Sequence, residues 1–153
     1  GVLEIAGVPV AKELGRYPNK DVLNEVDGSC MIVVITDAPL DARNLERLAK
    51  RAMLGLGKTG GIAANGSGDY VIAVSTAPGN RVQHAKRVPT DTVAVMRNDH
   101  VTPLFMAVIE ATEEAILNSL FMAYTMEGRD GHRIEAIPTE QILTILKKYN
   151  RIK

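Results

Sequence analysis

"EVDGSCMIVVITDAPL", residues 25–40, sets a polar turn directly against an unbroken apolar run. The run "CMIVVIT", residues 30–36, is dominated by Ile and Val and has the length and composition of a central strand covered on both faces. Immediately in front of it stand Asp27, Gly28 and Ser29. The preceding "GRYPNKDVLNEVDGS", residues 15–29, is polar, carries Pro18 and Asn19 as turn formers, and reads as an exposed loop. A Gly-Ser pair thus sits at the mouth of a strand that reads as buried.

Outward from this strand the pattern is mixed α/β. Asp41 is positioned as an N-cap for a helix over residues 42–56, with Leu45, Leu48, Ala49, Ala52 and Met53 on one face and Gly55 and Gly57 as its end. The loop "GKTGGIAANGSGD" is rich enough in Gly to adopt backbone conformations other residues avoid. "YVIAVST", residues 70–76, is a second apolar strand. Residues 93–96 form a further short strand in this reading, and "VLEIAGVPV", residues 2–10, an edge strand or a strand and turn. Thr102 and Pro103 open a helix whose apolar pattern runs almost all round to residue 124, which predicts extensive burial. "MEGRDGHR" breaks it, and a last helix starts near Thr139, with Glu140 in its first turn and Lys147 and Lys148 in its last. The order places helices over sheet in one domain, or part of one, across residues 1–153.

The totals narrow the partners. Lys plus Arg equals Asp plus Glu at 18 each, so there is no bulk positive field for a phosphate backbone and nucleic acid is not an expected partner. No apolar stretch reaches the roughly 20 residues that cross a bilayer, and the start lacks the charged head of a signal peptide, so no membrane partner is expected. The single Cys30 cannot form an internal disulfide, and a reducing cytoplasm is the expected location. The chain opens without Met and in mid-pattern, as a processed or truncated piece would.

Several motifs have competing readings. "GLGKTGG", residues 55–61, ends like a phosphate-binding loop, but Ala52 stands where that loop needs Gly, and the helix precedes the motif instead of following it. Nucleotide binding is therefore not expected. His84, His100 and His132 lack ligand-spaced partners, so no metal site is predicted. Cys30 reads as a small buried side chain, and as strand neighbours Cys30 and Ser29 point to opposite faces.

Ser29 has a chemistry of its own. Attack by its hydroxyl on the Gly28 carbonyl would exchange the peptide bond for an ester, and hydrolysis would leave Ser29 as a new chain start. Gly28, without a Cβ, leaves that carbonyl open. The freed α-amine has an ordinary pKa of about 7.7–8.0, so enough is neutral near pH 7 to take the hydroxyl proton. Ser67 and Asp69 in "NGSGD" point the same way if that segment is already extended, and a hydroxyl and a carboxylate there could orient the amine.

Together "DGSCMIVVITDAPLDARNLERLAKRAMLGLGKTGG" and "ANGSGDYVIAVSTA" resemble the L-aminopeptidase/D-Ala-esterase/amidase family, which includes the β-aminopeptidases. The resemblance runs over about residues 2–77 and recurs in "NDHVTPLFMAVIEATEEAILNSLFMA". It implies a precursor that cuts itself at Gly28-Ser29, with Ser29 as catalytic nucleophile and Ser67 and Asp69 orienting its amine. Some members carry Glu where Asp69 stands, one methylene longer. The implied fold is a four-layer α/β/β/α sandwich resembling N-terminal nucleophile hydrolases and shared with ornithine acetyltransferase. The implied substrates are small peptides and amides or esters of amino acids, handled by a homo-oligomer of two-chain units with no metal or other cofactor. The family carries a much longer segment before the cut, where only 28 residues precede Ser29 here. On this reading residues 1–28 are the end of an α-chain portion, residues 29–153 are the β-chain portion, and the upstream segment is a missing partner. Two rivals stand beside it: acyl transfer to an amine on the same fold, for which the relative uses an N-terminal threonine, and a non-catalytic module that is never cut.

Overall fold

A computed structural model of the chain describes residues 2–16, 28–84 and 89–153. The predicted polar loop before Gly28 falls largely outside them. Two parallel strands, β1 (Met31–Thr36) and β2 (Tyr70–Ser75), are joined through a helix. With the short helix α1 (Val10–Glu13) preceding β1, that connecting helix is α2 (Ala42–Lys58). The long helix α3 (Thr102–Met122) follows, then a small antiparallel hairpin of β3 (Met126–Glu127) and β4 (Arg133–Ile134), and finally α4 (Thr139–Lys148).

Alternation along both strands sends Ile32, Val34 and Val71 inward onto Leu48, Ala52 and Val108 of the helices. The other face is bare. Met31, Val33, Ile35, Tyr70, Ile72 and Val74 are all 40–67% exposed. The expected two-sided burial of β1 is therefore corrected: within the described residues one helical layer covers one face of the sheet, and nothing covers the other.

Asp41 caps α2 as predicted, its side chain accepting the Asn44 N–H at 2.9 Å. The helix does not end at Gly55 and Gly57 but runs through both to Lys58. Gly55 serves packing instead: a Cβ there would lie 2.6 Å from the Thr112 Cβ and 2.7 Å from the Ile109 carbonyl oxygen, so α2 and α3 cross where only glycine fits. Helix α3 is also less buried than its apolar pattern predicts. Val108 and Thr112 are its buried residues, while Met106 and Met122 are 59% and 81% exposed, because only one side of it meets α2 and the sheet.

A second core gathers Ile5, Val8 and Val10 against Ile142 and Leu146 of α4, with Leu117 and Phe121 from the end of α3. The predicted strand over residues 2–10 is reduced to one bridge, Ile5 to Val8, closed by Ala6 and Gly7 at positive φ and followed directly by α1. Residues 93–96 form no strand either. Their backbone is held by the Pro39 carbonyl, which accepts the Met96 N–H, and by the Asn80 side chain, which accepts from and donates to Ala94. No helix among the described residues is long and apolar enough to cross a membrane.

Candidate active site

The ladder between β1 and β2 pairs Met31 with Tyr70. Continued one and two residues toward the N-terminal end, the same register sets Cys30 beside Asp69 and Ser29 beside Gly68. The hydrogen bonds follow it: Tyr70 N–H donates to the Cys30 carbonyl at 3.2 Å, Cys30 N–H to Asp69 Oδ1 at 2.6 Å, and Gly68 N–H to Ser29 Oγ at 2.9 Å. Ser67 Oγ donates to the other Asp69 oxygen, Oδ2. A turn in which Ser67 N–H donates to the Ala64 carbonyl at 2.8 Å sets the loop before the strand.

Segments distant in sequence thus meet at one end of the sheet, 39 residues apart along the chain. Gly28, Ser29, Cys30, Ser67 and Asp69 line a cavity of about 300 Å³, whose apolar side includes Leu56 and Ile62. The Gly-rich loop can turn there because Gly60 lies at φ +98°, pressed against the N-terminal segment, where a Cβ would come within 2.1 Å of the Val2 carbonyl oxygen.

The structure brings together Gly28, Ser29, Ser67 and Asp69, the residues the sequence singled out. It differs in how Asp69 connects. One carboxylate oxygen holds the main chain of Cys30 and the other holds the Ser67 hydroxyl, so the acid reaches Ser29 through its neighbours. Two participants carry no side-chain signal, the amides of Gly68 and Cys30. The only sequence trace of the first is the glycine itself, which lets the backbone come close to Ser29.

Elsewhere the competing motifs resolve into structure. Lys58 of the phosphate-loop-like segment pairs with Glu113 of α3, and the Thr59 hydroxyl donates to the Leu56 carbonyl at 2.8 Å at the end of α2. His84, His100 and His132 are exposed and on separate segments. Among the described residues no group of three or more His, Cys, Asp or Glu side chains could hold a metal ion. A larger cavity of about 520 Å³ runs along β1 and the small residues Ala107, Ala111, Ala115 and Ser119 of α3. It is mainly apolar and lies along the strand, whereas the hydroxyls of Ser29 and Ser67 and the Asp69 carboxylate converge in the smaller one.

A serine and a Ser-Gly-Asp loop thus meet at one end of a parallel strand pair within an α/β layer. The profile of peptidase family S58 matches residues 1–134, and the chain belongs to that family. It is 40% identical to the β-peptidyl aminopeptidase BapA of Sphingosinicella microcystinivorans, over 98% of this chain and 40% of that protein. A solved protein of Pyrococcus horikoshii OT3 superposes with a TM-score of 0.81 at 44% identity, covering 98% of this chain and 39% of that one. The L-aminopeptidase D-Ala-esterase/amidase of Ochrobactrum anthropi, described as a prototype for the serine aminopeptidases and a new variant of the N-terminal nucleophile hydrolase fold, superposes with a TM-score of 0.81 at 30% identity, covering 99% of this chain and 41% of that one. The fold class is theirs. The chain spans about two-fifths of the length of these relatives, and its described residues supply the β1–β2 sheet with its helical cover on one face and the small β3–β4 hairpin.

Proposed function

We propose that this chain carries the nucleophile-bearing part of a self-processing aminopeptidase that removes N-terminal residues from small peptides, amides or esters. The observation that carries the proposal is the meeting of Ser29 Oγ, the Gly28-Ser29 bond and the Ser67–Asp69 pair around one cavity. Ser29 first cuts its own bond to Gly28. The freed amine then takes the Oγ proton, Oγ attacks the substrate carbonyl, the proton passes to the departing amine, and water releases the acyl group. In this reading Ser67 turns toward the new amine, and Asp69 keeps Ser67 in place.

The bare face of β1 and β2 supports a second element of the proposal. Six large apolar side chains in two adjacent rows form an unusually continuous patch for a finished surface. An upstream portion of the kind that the longer relatives possess would cover it, complete the second sheet and bring further donors for the transition-state oxyanion. The working unit is then an oligomer of two-part protomers in the cytoplasm.

The test is the intact mass of the purified protein, with N-terminal sequencing of each product. A fragment beginning Ser-Cys-Met-Ile, labelled at that serine by an acylating agent, is the expected result. An uncut chain that also resists labelling would leave a non-catalytic module. Transfer of the acyl group to an added amino acid, in place of release as free acid, would make the protein an acyltransferase.

A further inference from the structure

We propose that the main-chain N–H of Gly68 is a catalytic donor to the Ser29 oxygen, acting mainly when the acyl-enzyme is broken down; this rests on Ser29 being the nucleophile. The N–H points at Oγ from 2.9 Å. Its direction is fixed from both sides: Ser67 is tied to Ala64 and to Asp69, and Asp69 and Tyr70 are tied to Cys30. The donor is therefore held in place before any reaction, the condition under which a dipole stabilises developing charge without reorganising. Glycine also keeps the approach open. A Cβ at residue 68 would sit 3.4 Å from Ser29 Oγ, at the tight edge of ordinary contact.

The direction of charge flow decides which step benefits. In acylation Oγ gives an electron pair to the substrate carbonyl carbon, the amide C–N bond breaks, and the Oγ proton reaches the departing nitrogen through the Ser29 amine. Oγ becomes less negative as its bond to carbon forms, so a donor aimed at it contributes little after deprotonation. In deacylation the flow reverses. Water adds to the ester carbon and leaves its proton on the Ser29 amine; then the C–Oγ bond breaks, Oγ takes the electron pair, and the ammonium returns a proton to it. Negative charge grows on Oγ, and the Gly68 N–H is already directed there.

The experiment uses the self-cleaved, assembled protein with Gly68 replaced by glycolate, an ester that deletes the N–H and adds no atom beyond the oxygen in its place. A chromogenic amino-acid ester reports acylation as a burst and deacylation as the steady rate. The expected result is a full burst with the steady rate lowered about tenfold, the effect of one hydrogen bond of ordinary net strength. Acyl-Ser29 should accumulate by mass. An ester variant with the parent's steady rate would overturn the proposal. If the parent itself never forms acyl-Ser29, the nucleophile reading fails and takes the proposal with it, a result distinct from the previous one. Should the ester variant not fold, hydrogen exchange at the Gly68 amide decides: Ser29→Ala should speed it about tenfold, and an unchanged rate would count against the contact.

Discussion

The Asp69 carboxylate accepts the main-chain N–H of Cys30 at 2.6 Å, which anchors this acid on the residue directly after Ser29. Its second oxygen takes the Ser67 hydroxyl. One side chain therefore sets both the start of β1 and the orientation of the second serine.

Asp69→Asn keeps the shape of the side chain but leaves one acceptor oxygen for two donors. A hydrogen bond to a charged acceptor contributes about 1.5–3 kcal/mol, so self-cleavage at Gly28-Ser29 should slow by about tenfold or more. A time course of intact mass checks it. Asp69→Glu should fall between Asn and the parent, because its extra methylene must fold back to reach the Cys30 N–H.

Ser29→Ala removes the proposed nucleophile and one exposed hydrogen bond. Cutting and acyl labelling should vanish, while the melting temperature should move by no more than the few degrees that about 1 kcal/mol produces in a chain of this size. A large loss of stability would assign Ser29 a structural role.

Gly55→Ala tests the helix crossing. Helix propensity alone favours Ala by about 1 kcal/mol, but the new Cβ would fall 2.6 Å from the Thr112 Cβ and 2.7 Å from the Ile109 carbonyl oxygen. Overpacking of this kind costs about 1–3 kcal/mol and prevails, so thermal unfolding should occur several degrees lower. Adding Thr112→Ala removes the closest obstruction and should recover part of the loss.

Val33→Asp together with Ile72→Asp places charge on the bare sheet face, where these residues are 54% and 50% exposed. Circular dichroism of the chain should change little. Assembly with the proposed upstream portion should be lost on size exclusion, and activity with it.

Glu13 of α1 accepts from Lys148 Nζ at 2.8 Å and from the Tyr149 hydroxyl at 2.7 Å, and these bonds hold its pKa below the ordinary 4.5. A depressed carboxylate contributes stability that is present above its unfolded value and lost as pH falls through the folded one. Lys148 is raised by the same pair, so its share is present below 10.5 and lost as pH rises through the folded value. Acid titration should therefore loosen the contact of α1 with α4 below about pH 4.5, followed by exchange of the Val10–Glu13 amides. Glu13→Gln should remove that acid dependence and leave the site at Ser29 unaffected.

The elements that were legible in the sequence are those whose signal is local. The β-branched run at residues 30–36, the Asp41 cap and the charged ends of α4 all recur in the structure. The misreadings have a common origin in context. β1 and α3 are apolar enough for burial on several sides, yet the described residues bury only one, so their composition exceeds the packing this stretch provides. At residues 93–96 the Asn80 side chain supplies bonds that a neighbouring strand would otherwise make, and no periodicity announces that. Within the site, the grouping of Ser29, Ser67 and Asp69 was readable because the side chains themselves form the motif. The Gly68 and Cys30 amides were not, since every residue but proline has one and only the ladder register aims it.

That register has a consequence for how such a protein can change length. Gly68, Asp69 and Tyr70 lie alongside Ser29, Cys30 and Met31 in step, so inserting or deleting one residue between Ser67 and Tyr70 would move the carboxylate to the opposite face of the sheet. The stretch before Ser67 is tied at Thr59 and Gly61, which bond the Leu56 carbonyl, at Gly60, where the Val2 backbone crosses, and at Ala64, whose carbonyl accepts the Ser67 N–H. Natural variation in loop size should therefore collect between Gly61 and Ala64, and the spacing from the second serine to the strand should stay the same wherever the chemistry survives.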